Sequence, residues 1–160
     1  MKKLIFIIAI IFLVGCSSNK IYDLRTDISD TEGVEKLIHN LDWDNNEITK
    51  IVARNNVVKI YFGEDTNINK LKNFKKLFDN GIILIALTGA EKVLYQDARN
   101  NFSEIDRESY ELFSEGLKLK DSEVYQKDKG EFNKLLRNLK KMKIDKEDGF
   151  NFNFNFRLNF

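Results

Sequence analysis

The stretch LKNFKKLFDNGIILIALTG at residues 71–89 decides the fold, because it fits two different structures. Residues 82–87 are apolar on all sides, and they fit a buried strand if residues 79–81 form a turn. They equally fit the buried end of a long helix, which would end at Gly89. Apolar side chains recur through the whole stretch at the helical period, at Leu71, Phe74, Phe78, Ile82 and Ile85. We therefore predict one helix over residues 67–87.

Short β-rich runs lie on both sides of this helix. Residues 48–53 and 57–62 are predicted strands, and Arg54-Asn55-Asn56 between them is typical of a hairpin turn. Residues 91–96 predict a third strand. The sheet is therefore expected to be short and antiparallel, with about three strands.

Three more helices follow from apolar spacing and capping residues. They are predicted over residues 33–41, over 106–114 with Asp106 as the N-cap, and around 132–139. Residues 117–124 fit no element clearly. The predicted architecture is a small single domain of the α+β class, with helices packed on the sheet around the long central helix.

The charge balance limits the partners of the chain. Its 160 residues include 26 basic and 25 acidic side chains. Such a balance gives no long-range attraction to nucleic acid, so no nucleic-acid partner is expected. The sequence contains one cysteine, so no intrachain disulfide is expected.

The first residues are typical of an export signal. Lys2 and Lys3 precede an apolar run at 4–14, whose eleven residues as a helix would cross about half of a roughly 30 Å hydrocarbon core. Leu13-Val14-Gly15-Cys16 resembles the lipobox of bacterial lipoprotein signal peptides. The resemblance implies cleavage between Gly15 and Cys16 and a diacylglyceryl group on the Cys16 thiol.

Four segments follow from this interpretation. Residues 1–15 are the signal peptide, 16–32 the lipidated Cys16 and a polar tether, 33–145 the globular domain, and 146–160 a tail. We expect the protein on the extracytoplasmic face of a bacterial cell membrane, or on the outer membrane if the host has two membranes. Its membrane partner is engaged through the lipid on Cys16.

The tail contains FNFNFNFRLNF at residues 150–160, where apolar residues alternate with Asn or Arg. An extended strand would place six apolar side chains on one face. Three interpretations remain: a strand added to this sheet or to a partner's edge, a disordered extension prone to aggregation, or an end without selected function. The last two are preferred.

Three stretches together resemble a bacterial domain-of-unknown-function family, numbered 4825. They are YDLRTDISDTEGVEKLIHNL (22–41), FDNGIILIALTGAEKVLYQ (78–96) and DRESYELFSEGLK (106–118). Asp27 and Ser29 depart from the aromatic residue and glycine of the family's opening. The resemblance implies an extracytoplasmic α+β domain, found in small lipoproteins and beside membrane metallopeptidases, and it carries over no catalytic residue.

Few residues suggest chemistry. His39 is the single histidine and is interpreted as structural. Asp42, Asp44 and Asn46 alternate as in a calcium loop, but Glu47 stands where that loop needs glycine and Ala53 where it needs glutamate. No metal, cofactor or catalytic residue is therefore assigned.

Two features near these residues are expected to be structural. Trp43, in the same acidic loop, is expected to pack on the domain rather than to contact a partner. Lys72, Lys75 and Lys76 are expected on a solvated helix face, with contact to lipid headgroups as the alternative.

These observations favour a non-enzymatic surface lipoprotein with a binding, sensing or accessory domain and an envelope protein as partner. The sequence assigns no binding residues, which stay unknown. One alternative is an envelope-acting enzyme with a site of carboxylates, or of Tyr and Lys, and another is an immunity or inhibitor lipoprotein.

The anchor gives the first testable prediction. Cys16→Ala removes the thiol that would carry the lipid, so we expect the protein to move from the membrane fraction to the soluble extracytoplasmic fraction. Cell fractionation followed by immunoblotting measures this shift, with Ser17→Ala as the matched control. Unchanged membrane retention of Cys16→Ala would contradict lipid anchoring.

Overall fold

The computed structural model describes residues 20–68, 71–114 and 116–142, which form one small domain of the α+β class. The predicted signal peptide, Gly15, Cys16 and the tail at 146–160 lie outside the described residues. The fold class predicted from the sequence is confirmed.

The described residues form five complete helices and one sheet, and residues 20–23 are also helical. The sheet contains four strands in the order β1-β2-β3-β4, rather than about three. The elements in chain order are α1 (Thr31–Asn40), β1 (Ile48–Arg54), β2 (Val57–Phe62), α2 (Leu71–Thr88), β3 (Lys92–Gln96), β4 (Phe102–Asp106), α3 (Arg107–Phe113), α4 (Ser122–Lys127) and α5 (Lys129–Lys141).

The stretch at 71–89 forms the predicted single helix, α2, and not a turn followed by a strand. Gly89 ends it in the left-handed conformation, with φ of 77°. The Thr88 hydroxyl donates to the carbonyl of Leu84 and accepts from the amide of Ala90, so polar groups at the buried helix end have partners.

The strand pairings correct the predicted antiparallel sheet. The β1–β2 hairpin is antiparallel, and Asn55 and Asn56 adopt positive φ at its turn, as a tight hairpin requires. However, β2 and β3 are parallel, because α2 lies between them in the chain and returns it to the starting end of the sheet. The pair β3–β4 is again antiparallel.

Helix α2 lies on one face of the sheet and forms the centre of the domain. Six fully or almost fully buried side chains of the sheet point toward it: Val58, Ile60, Phe62, Val93, Tyr95 and Ile105. The other four helices each contact α2. The domain therefore has a sheet, a central helix against it, and further helices around that helix.

Residues 20–30 also pack on this helical layer, which corrects the predicted tether. Tyr22 is buried, its ring lies 5.6 Å from that of Phe132 between centroids, and its hydroxyl donates to the carbonyl of Gln126 at 3.0 Å. The amide of Thr26 donates to the carbonyl of Leu87 at 3.1 Å. The polar composition of this segment suggested a tether, but Tyr22 has core partners more than a hundred residues away.

A close contact at Gly81 joins α2 to the sheet. The buried Tyr95 hydroxyl donates to the carbonyl of Leu77 at 2.8 Å. A Cβ atom at Gly81 would lie 2.9 Å from the Cγ2 atom of Ile105 and 3.1 Å from the Tyr95 hydroxyl oxygen. Glycine in mid-helix therefore lets β3 and β4 approach the helix backbone.

Gly81→Ala tests this close approach. The added methyl group forces Ile105 and Tyr95 to move, which in a packed core costs about 1–3 kcal/mol, against a gain of about 1 kcal/mol in helix propensity. We expect the free energy of unfolding, measured by urea denaturation, to fall. Ile105→Ala vacates the space, so Gly81→Ala should be harmless or stabilising in that background. Additive effects of the two changes would contradict a direct clash.

Because Tyr95 is buried, we expect the folded domain to lose stability at alkaline pH. Burial raises the pKa of its hydroxyl well above the ordinary value, and Asp79 adds to the rise. In the unfolded chain this tyrosine ionises near pH 10. The contribution of the protonated, buried hydroxyl to the free energy of unfolding is therefore full below that pH and falls above it. Tyr95→Phe removes the ionisable hydroxyl, and with it this dependence on pH, but it also removes a hydrogen bond worth about 1 kcal/mol.

We therefore expect Tyr95→Phe to be less stable than the native chain at pH 7, with the difference shrinking by up to about 1.4 kcal/mol per pH unit above pH 10. Urea denaturation from pH 7 to 11 measures it. Tyr61→Phe, on the exposed side of the sheet, is the control. A difference independent of pH would contradict a protonated buried Tyr95.

Candidate binding surface

The face of the sheet opposite α2 has no helix of the described residues against it, and we call it the open face. None of its side chains is buried, in contrast to the core-facing residues Val58, Ile60, Phe62, Val93, Tyr95 and Ile105 of β2, β3 and β4. Side chains alternate between the two faces, so its members follow from the register. They are Lys50, Val52, Arg54, Val57, Lys59, Tyr61, Lys92, Leu94, Gln96, Phe102, Glu104 and Asp106.

The open face combines apolar and charged side chains. Val52, Val57, Tyr61 and Leu94 are half-buried on its four-stranded surface, and Phe102 is 59% exposed. The register places charged residues beside the apolar ones, with Lys59 opposite both Val52 and Leu94. Apolar groups framed by charges are typical of surfaces that contact other proteins.

Two polar contacts organise the charges on this face. The Lys50 ammonium lies 5.5 Å from the centroid of the Tyr61 ring, which is within the range of a cation–π interaction. The Lys92 ammonium donates to Glu104 Oε1 at 3.1 Å. The second oxygen, Oε2, is buried and has no hydrogen-bond partner among the described residues.

A groove borders the open face at β4, the strand at the edge of the sheet. We call it the β4 groove; it has a volume of about 190 Å³ and lies between β4 and α3. Its apolar lining comes from Phe74, Ile105, Leu112 and Phe113, and Leu112 is 64% exposed. Its polar lining comes from Ser103, Glu104, Asp106, Glu108 and Ser109.

The predicted acidic loop is held together by its own polar groups. Asp42 accepts from the Asp44 amide at 2.9 Å and from Lys76 at 2.5 Å, and the Lys76 hydrogen bond lowers the pKa of Asp42. Asn46 donates to the carbonyl of Trp43. Among the described residues, no three His, Cys, Asp or Glu side chains are grouped closely enough to hold a metal ion.

Trp43 packs on the domain, as predicted. It is buried, and its indole nitrogen donates to the carbonyl of Ile38 at 2.7 Å. Its ring lies 5.7 Å from Phe62 and 6.0 Å from Tyr95 between centroids. The other candidate, His39, is exposed in the last turn of α1.

The lysines of α2 correct the predicted solvated face. Lys75 binds Asp79 one turn along the helix and donates to the carbonyl of Leu139 at 3.0 Å, while Lys76 binds Asp42. Both lysines therefore attach α2 to neighbouring segments. The side chain of Lys72 is outside the described set.

Asp79 is the strongest titratable candidate for chemistry. Its burial raises the pKa, although Lys75 and Lys76 act in the opposite direction. Its partner is a lysine rather than a second carboxylate, and it does not line the β4 groove. The pair connects α2 to the end of α5, which is a structural role.

No helix in the described part of the chain combines the length and apolar character needed to cross a bilayer. Comparisons with protein-family models, curated proteins and solved structures give no match. The family resemblance drawn from the sequence therefore stays a prediction.

Proposed function

We propose that this chain is a membrane-anchored extracytoplasmic lipoprotein whose domain binds a protein of the cell envelope and does not catalyse a reaction. The anchor is supported by the lipobox-like sequence that ends at Cys16. The binding role is supported by one structural observation, the open face, where apolar side chains lie on a four-stranded sheet that no other described element covers.

Tyr22, the buried residue that follows the proposed anchor in the chain, lies on the side of the domain opposite the open face. Tyr22 contacts α4 and α5, which pack around α2 on the side of the sheet away from the open face. Tyr22 is six residues after Cys16, a distance of at most about 20 Å even when fully extended. A lipid on Cys16 would therefore hold the helical side near the bilayer and direct the open face away from it.

The helical side also carries two cations beside Tyr22. The Arg25 guanidinium lies 4.5 Å from the centroid of the Tyr22 ring, and the Lys129 ammonium lies 5.6 Å from it. Such cations are attracted to anionic headgroups at short range. They would support the orientation set by the lipid, even though the whole chain is nearly neutral.

A protein partner fits the open face better than a small molecule does. The face is a broad pleated surface with half-exposed Val52, Tyr61 and Leu94, and it is bordered by charges of both signs. Small ligands are usually held in concave pockets that bury most of their surface. The alternative of a carboxylate enzyme has less support, because Asp79 is paired with Lys75.

Photo-crosslinking in intact cells tests this proposal. A diazirine amino acid replaces Lys59 on the open face or Lys127 on the helical side; both side chains are exposed, so neither change should disturb folding. We expect a discrete protein adduct from position 59 and lipid adducts from position 127, both detected by mass spectrometry.

The matched control combines the probe at position 59 with Leu94→Glu, which places a charge on the neighbouring strand. The protein adduct should then fall at least fivefold, while lipid adducts from position 127 stay constant. Lipid adducts from position 59, or no discrete protein adduct there, would contradict the proposed binding role.

A further inference from the structure

We propose that residues 150–160 of this chain dock along the free edge of β4 and insert a phenylalanine ring into the β4 groove. The segment would thereby act as an additional strand of the sheet. This inference concerns the edge of β4, which borders the open face and shares Glu104 and Asp106 with it, and it does not depend on the lipid anchor.

The groove has the size of one aromatic ring. Its volume of about 190 Å³ compares with the cavity of about 150 Å³ that binds benzene in an engineered protein. Phe74, Ile105 and Phe113 provide apolar contacts, and Leu112 forms an exposed apolar wall. A phenyl group entering the groove would cover Leu112, one of the most exposed large apolar side chains of the described chain.

The edge beside the groove is suited to an extended segment. β4 is the last strand in the sheet order, and its outer edge has no strand partner among the described residues. An extended peptide adds to such an edge through backbone hydrogen bonds, and alternate side chains enter neighbouring pockets. The occupant should therefore have large apolar residues at every second position.

Residues 150–160 have this pattern. Phe150, Phe152, Phe154 and Phe156 alternate with asparagine, and Leu158 and Phe160 continue the alternation. The segment contains no acidic residue and includes one arginine, Arg157. Glu104, Asp106 and Glu108 line the groove, so its charge suits this segment better than an acidic one.

The end of α5 and the β4 groove both adjoin the first half of α2. The carbonyl of Leu139, near the end of α5, accepts from Lys75, and the residue before Lys75 lines the groove. Seven residues, 143–149, connect the end of the described chain to the tail. When extended they span about 24 Å, which is large compared with the radius of gyration of about 13 Å for a domain of roughly 100 residues. The tail can therefore extend to the edge of β4.

Hydrogen exchange of the full-length lipidated protein in detergent micelles tests the docking. We expect residues 150–160 to exchange about tenfold or more slowly than their intrinsic rates, with protection that does not depend on protein concentration. Leu112→Asn should abolish this protection and speed exchange in residues 102–106. Leu117→Asn is the matched control, because Leu117 is 53% exposed but does not line the groove.

A second variant changes the segment itself. Replacing Phe150, Phe152, Phe154 and Phe156 with serine should speed exchange in residues 102–106 as much as Leu112→Asn does, without altering exchange in α2. Intrinsic exchange rates in the native tail, or protection insensitive to Leu112→Asn, would overturn the proposal. Protection that grows with protein concentration would also overturn it, since the occupant would then be a second copy of the chain.

Discussion

The contact between the bare backbone of α2 at Gly81 and the side chains of Ile105 and Tyr95 sets the spacing between helix and sheet. Because no Cβ atom intervenes, the Tyr95 hydroxyl reaches the carbonyl of Leu77 within the helix. This contact joins two strands to one point on the helix. The chain enters α2 from β2 and leaves it into β3, and β3 pairs with β2 in the parallel direction.

The complete helices of the described chain all contact α2, and none of them covers the opposite side of the sheet, which is the side proposed to bind a partner. Two-layer domains commonly cover one face of a sheet and leave the second solvated, usually with polar side chains. Here the second face retains Val52, Tyr61 and Leu94. Tyr22 is buried on the helical side, so the described chain begins on the side of the sheet away from this face. An exposed surface and a short connection to the membrane are therefore compatible in a domain of this size.

The parts of the fold that could be predicted depend on local patterns. The apolar period through 71–89, the Asn55-Asn56 turn and the Asp106 cap each involve residues close in sequence. β4 was missed because FSEID has Ser103, Glu104 and Asp106 around a single core residue, Ile105. Its strand state comes from pairing with β3, and the sequence of the strand carries no sign of that pairing.

The candidate surface was not predicted for the same reason. The open face is defined by which strands are neighbours, and two of its four strands were assigned to a wrong pairing or to no strand at all. The roles of Lys75 and Lys76 were missed because their partners include Leu139 and Asp42, which are distant in sequence. Tyr22 was likewise assigned to a tether, since nothing near it reveals its contact with Phe132.

The two edges of the sheet differ in how they resist association. Exposed edge strands usually carry charged side chains that discourage pairing with other chains. β1 follows this rule, with Lys50 and Arg54 exposed. β4 carries Glu104 and Asp106, but its outer side also adjoins the apolar residues of the β4 groove, and its first residue, Phe102, is largely exposed. An edge next to apolar side chains is a place where a further strand can add, and the alternation that such a strand needs is present at residues 150–160 of the same chain.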